Sequence, residues 1–284
     1  MPYLVTGDRF HLEELEMWAG YNAFVSNPGY REYGKGLLRS DQVRGFAWAL
    51  RTLGQVAFIA PDDDPQKKYF ASMLQHNLKW LIDDQVNGPS KNPLSILNVG
   101  YTMVYENSTG FAPWQDDFFT SAVNAVAGFG FHDADPVLAY KAQAPVARMR
   151  DACWIDAAAY TILARSTPTG PFFPSYKEAH AATFAELKLA NGTRYLDLTC
   201  ASKEAADFRT KLDAENGTTR GPWAPDEMTG YATSSEGYPS NMQPALAAAV
   251  DAAVPGAKEA WATFVGRSVK PTYSDSPQFA IVPR

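Results

Sequence analysis

The sequence predicts an all-α fold, an array or toroid of helical hairpins, and three observations carry that prediction. Residues 41–60 (DQVRGFAWALRTLGQVAFIA) are apolar on nearly every side after Arg44, interrupted mainly by Arg51, Thr52 and Gln55, so as a helix they have no true solvent face and belong in an interior. Residues 64–86 set Tyr69, Phe70, Met73, Leu74, Leu78, Leu81 and Ile82 at helical spacing against lysines, glutamines and aspartates, the pattern of a one-faced outer helix. The rest of the chain repeats the alternation, and repetition of one supersecondary unit is how such an array looks in sequence.

Taken in order, the chain opens with the turn Thr6-Gly7-Asp8 and an outer helix from about His11, whose Leu12, Leu15, Trp18, Ala19 and Phe24 alternate with glutamates. Its proline and glycines make 26–40 a loop that ends on Ser40 or Asp41 as the N-cap of the first inner helix. Pro65 suits the first turn of the outer partner. Residues 87–113 are irregular, with a short strand open to VGYTMVY. A loop this long in a compact domain has a function or is disordered. The second pair is 118–131 and 135–150, broken near Pro145; the third is 151–164 and 175–190; the fourth is 241–254 and 256–267. Between the last two, 191–233 reads as an insertion, a lid or a spacer, and the tail reads as extended.

The 284 residues suffice for one large core, expected here as a single domain over 1–284. With 46% apolar residues and no run near the roughly 20 apolar residues of a membrane span, a soluble chain is expected. A net charge of -6 without basic clusters argues against nucleic acid. Cys153 and Cys200 are too few for a metal site or a disulfide framework; two separate thiols are expected, and one bridge in an oxidising compartment is the alternative. The N-terminus lacks the basic and apolar pattern of a signal peptide, which leaves the native compartment open.

The YLVTGD turn running into LEEL, the aromatic-rich inner helices, PWQDDF and EGYPSN together resemble the alpha/alpha toroid shared by several polysaccharide lyases and glycoside hydrolases. The resemblance covers most of the chain and matches no single family. It implies a carbohydrate substrate, and no cofactor or metal is expected. A closed toroid of this kind has about six hairpins, so four hairpins and an unpaired outer helix imply a missing upstream portion, an open arc, or completion by a second copy, since an open arc's apolar edge favours self-association.

In that architecture the starts of the inner helices line one end of a cavity. They gather Asp41, Gln42 and Arg44; Trp114, Gln115, Asp116 and Asp117; Asp151 and Trp154; and Tyr231, Glu236, Tyr238 and Asn241. Glycoside hydrolysis needs two carboxylates across the bond, and Asp117 or its neighbour Asp116 with Glu236 supplies them. Against this, each is also placed as a first-turn carboxylate that a helix dipole stabilises. A lyase needs a Tyr or His base and a neutraliser for the substrate carboxylate: Tyr238 or His132 with Arg44, Gln42 and Asn241. Hydrolysis leads, because the acidic candidates are better placed than the basic ones. A non-catalytic binding array is the third reading.

His132 is expected at the surface, and His11, His76 and His180 solvated on outer helices. No histidine pair has metal-ligand spacing, and no GxSxG, GxGxxG or P-loop occurs. Trp48 and Trp154 are expected to pack in the core, whereas Trp114 and Trp223, in loop contexts, are expected to stack on sugar.

Overall fold

A computed structural model describes residues 2–39, 42–100, 102–151, 154, 160–215, 222–225, 241–268, 273–274 and 277–284. The fold is all-α, and the only sheet among the described residues has two strands. Where one domain was expected, the chain divides into two compact units. One holds Met1–Lys91, Leu97–Thr102 and Phe119–Lys141; the other holds Asn92–Ile96, Met103–Phe118 and Ala142–Arg284.

The first unit begins with α1 (Pro2–Thr6) and α2 (Arg9–Phe24). Asp8 caps α2 by accepting from the Phe10 N–H at 3.0 Å. Next comes α3 (Val43–Ile59), whose N-cap position is taken by Gln42; the expected caps Ser40 and Asp41 lie outside the described residues. Then follows α4 (Pro65–Trp80), capped by Asp64 with Pro65 at its start, where a missing N–H costs nothing. One π-helical turn, Leu81–Val86, prolongs it. The Lys67 ammonium closes this hairpin by donating to the Ala60 carbonyl at 2.8 Å and to Asp62 at 2.7 Å.

At the centre of this unit, α3 packs against α2 and α4. Its Phe46 is fully buried, 5.1 Å from the Phe119 ring and 6.2 Å from Trp80. The expectation that α3 lacks a solvent face needs correction. Arg44, Trp48, Arg51, Gln55 and Phe58 recur at helical spacing along a stripe the chain leaves partly open, and Trp48 is 49% exposed, with the Arg51 guanidinium 4.2 Å from its ring centre. Three arginine or glutamine side chains at that spacing already define a face; the apolar count around them hid it.

The later turns of α5 (Pro113–Gly128) and all of α6 (Asp135–Lys141) also belong to this unit. The second unit takes the opening turns of α5, then α7 (Gln143–Asp151), α8 (Tyr176–Thr183), α9 (Lys203–Glu215), α10 (Met242–Asp251) and α11 (Ala257–Gly266). Here α7, α10 and α11 pack on one another. Every residue of α10 from Met242 to Ala249 is buried, as its all-round apolar sequence requires. Gly256, at φ 79°, supplies the left-handed residue that turns the chain from α10 into α11.

The third hairpin is the main departure from expectation. Its inner helix was placed at 151–164; residues 152, 153 and 155–159 lie outside the described residues, but Trp154 and 160–164 are not helical, and β2 (Ile162–Leu163) pairs antiparallel with β1 (Gly110–Phe111). A short apolar run fits a buried strand as well as a helix, and Ile162 and Ala164 are both fully buried. The return helix is broken near Pro145, as expected: the break falls at Ala142, because Pro145 cannot donate to the Lys141 carbonyl four residues back, and Pro145 itself sits in the first turn of α7. The third outer helix is also shorter than 175–190, ending at Thr183.

Residues 87–113 contain β1, and among the described residues of 99–105 there is no strand, only a single bridge from Tyr105 to Gly110. Buried amides order this stretch: the Gln85 side chain bonds both main-chain groups of Asn98, at 2.9 and 3.1 Å, and Asn92 does the same to Ile96. The described part of 191–233 is packed into the second unit, with Tyr195 and Trp223 buried. Cys200 is disulfide-bonded, so it is not the separate thiol expected; Cys153 lies outside the described residues. Among the described residues no helix is long and apolar enough to cross a membrane.

The α3–α5 contact gives a prediction. A Cβ on Gly54 would stand 2.8 Å from Val126 Cγ2, a stiff β-branched group. Gly54→Ala is expected to destabilise the protein by about 1–2 kcal/mol in urea unfolding even after its helix-propensity gain, and adding Val126→Ala should recover part of that loss. A neutral Gly54→Ala would show that the two helices are not in contact there.

Candidate active site

The chemistry-bearing residues that the structure brings together lie in the second unit, at the opening of α5. Pro113 starts the helix, so Trp114, Gln115, Asp116 and Asp117 form its first turns and are not loop residues ahead of it. All four are buried. Asp116, in the first turn, is favoured by the helix dipole. Asp117 has no exposed surface and accepts a hydrogen bond from Arg148 Nη2 on α7; this side chain is equally buried. An arginine at that position favours the ionised carboxylate.

Around this pair the second unit builds a polar and aromatic wall. The Arg148 guanidinium lies 5.8 Å from the centre of the Tyr176 ring, whose hydroxyl donates to the Leu94 carbonyl at 3.0 Å. Gln115 Nε2 donates to the Tyr105 hydroxyl at 2.8 Å. Trp154 meets Tyr176, His180 and Phe184 edge-on at 6.4, 4.9 and 5.9 Å. Tyr195 continues the cluster against Phe184 and Phe208. Burial pushes the Tyr195 hydroxyl above its ordinary range, and Arg209 opposes that rise.

Gln42 and Arg44 belong to the first unit and are exposed, with Arg44 donating to Gln42 at 3.2 Å. Asn241, in the second unit, is buried just ahead of α10. Tyr231, Glu236 and Tyr238 lie outside the described residues.

The tryptophan expectations are largely reversed. Trp114 (8% exposed) and Trp223 (4%) are buried, which removes the basis for stacking them on sugar, and Trp48 is the open one. The loop contexts misled because a helix starts at Pro113, and because the Trp223 N–H is tied to the Thr210 hydroxyl at 3.0 Å. Trp154 is core, as expected. His132 is at the surface beside Asp135, and His180, expected to be solvated, is half-buried among aromatic rings.

Arg148, Tyr105 and Tyr176 were not foreseen. The available signal for Arg148 was its position among Ala144, Val146 and Met149, residues of a buried helix face, since a cation there demands an acid partner. Among the described residues no group of three His, Cys, Asp or Glu side chains stands where a metal ion would be held.

An all-α fold with a sealed aspartate–arginine pair is thus the class that the structure defines. Comparison with protein-family models, curated proteins and solved structures gives no match.

Removing Asp117 takes away the carboxylate partner of a fully buried cation. Asp117→Leu is expected to cost about 3–5 kcal/mol in urea unfolding, and Asp117→Leu with Arg148→Met should recover most of it. A single-variant cost below about 1 kcal/mol would mean that the pair is hydrated.

Proposed function

We propose that this chain is a carbohydrate-active enzyme that cleaves glycosidic bonds by hydrolysis, with Glu236 as proton donor and the Asp116–Asp117 turn as the opposing carboxylate. One observation supports the reading above the others, the buried Asp117–Arg148 pair at the start of α5. Apolar residues of similar volume stabilise a core at least as well as a buried ion pair. A charge retained in such a place fits a functional centre, where perturbed ionisable groups concentrate.

In this proposal Arg148 keeps Asp117 charged, and Asp117 is therefore not the acid. That leaves donation to Glu236, the other carboxylate of the pair that hydrolysis requires. Hydrolysis is preferred to elimination because the groups gathered at the start of α5 are carboxylates, and the arginine beside them, Arg148, is engaged by Asp117 and not open to a substrate's carboxylate as a lyase neutraliser must be. The lyase base His132 also loses support, since its side chain is 84% exposed and sits beside Asp135.

Glu236→Gln and Asp116→Asn test the assignment without breaking the Asp117 pair. Glu236→Gln should reduce release of reducing sugar by roughly 100-fold or more, the usual contribution of a general acid, and Asp116→Asn should reduce it measurably. Far-UV circular dichroism and melting temperature should stay near wild type in both. Full activity in Glu236→Gln would remove it from the mechanism.

A further inference from the structure

The first unit carries a cleft of about 430 Å³ that the proposed chemistry does not use. Gly20 and Phe24 of α2, Arg31, Tyr33 and Gly34 of the following loop, and Tyr69 of α4 line it. Three of its rings face outward: Phe24 and Tyr33 are each 75% exposed and Tyr69 is 52% exposed. Arg31, half-buried among them, donates to the Ala23 carbonyl at 3.1 Å and lies 5.9 Å from the Phe24 ring centre. Among the described residues it has no carboxylate partner.

The loop is built to hold this arrangement. Fully buried Asn77 on α4 donates to the Gly36 and Met73 carbonyls at 3.0 and 2.9 Å and accepts from the Leu38 N–H at 2.8 Å. Arg39 donates twice to the Tyr30 carbonyl and once to Glu32. Between these ties Glu32 and Tyr33 both adopt φ 51°, a left-handed conformation that side chains other than glycine disfavour and that persists only when neighbours enforce it.

Two glycines add to the case. A Cβ on Gly20, in the middle of α2, or on Gly34 would meet no atom within 4 Å. Glycine in a helix interior is unfavourable, and no packing contact accounts for it here. It leaves backbone open to close approach.

We propose that this cleft binds an anionic saccharide, one bearing a carboxylate or sulfate. The rings of Phe24, Tyr33 and Tyr69 offer flat apolar faces to the sugar's C–H surface. Arg31 supplies a planar donor fork for the anionic substituent, and that charge complementarity selects acidic over neutral sugars. The site stands independently of the catalytic reading in the other unit, so its test measures binding and not cleavage.

Calorimetry with tetramers of galacturonate, of a sulfated galactan and of neutral cellulose tests the proposal. At least one anionic tetramer should bind, and cellotetraose should bind tenfold more weakly or not at all. Gly20→Leu fills the cleft from a helical position with free space, so it should lower anionic binding at least tenfold while melting at or above the wild-type temperature. Tyr69→Ala and Arg31→Gln should each weaken it similarly. The site is refuted if neither anionic tetramer binds, if cellotetraose binds as tightly, or if Gly20→Leu binds like wild type.

Discussion

The second unit depends on the contact between Asp117 and Arg148. Both side chains are fully removed from water, and each charge alone would cost several kcal/mol to bury. Each charge is offset by the other across the two helices. The opening turns of α5 and the body of α7 are fixed together for that reason, and Tyr176, Leu94, Gln115 and Tyr105 are arranged around them through hydrogen bonds and ring contacts. The neighbouring α10 is alanine-rich and buried from Met242 to Ala249, so the polar centre is set in an apolar frame that strengthens its electrostatics.

The parts of the fold legible in sequence were those with local signals. Asp8, the Asp64-Pro65 pair and Ser175 with Glu178 announce helix starts through their capping chemistry. The α10–α11 hairpin follows from an apolar run, a left-handed glycine and a return helix. What sequence did not reveal depends on partners far along the chain. Ile162 and Leu163 become a strand because Gly110 and Phe111 pair with them, and residues 87–113 are ordered by single buried amides that leave no periodicity.

The candidate site was legible as residue types at the opening of α5 and obscure as geometry. Asp116 and Asp117 were singled out, but as carboxylates facing a hollow; the burial of Asp117 goes with its pairing to Arg148, and one chain position cannot reveal that pairing. The tryptophans show the same limit. Flanking proline and acidic residues made Trp114 and Trp223 look accessible, although the former is part of a helix and the latter is held by Thr210. The first unit shows the converse: Phe24, Tyr33 and Tyr69 fit an ordinary amphipathic pattern, and the Asn77 and Arg39 ties that present them become visible only in three dimensions.

The central functional claim, glycosidic hydrolysis, is tested most directly by incubating the protein with a panel of glycans and weighing the products. Fragments whose combined mass exceeds that of the substrate by one water per cut are the predicted result. Fragments without that gain, one of them carrying an unsaturated sugar, or a panel left wholly uncut, would contradict it.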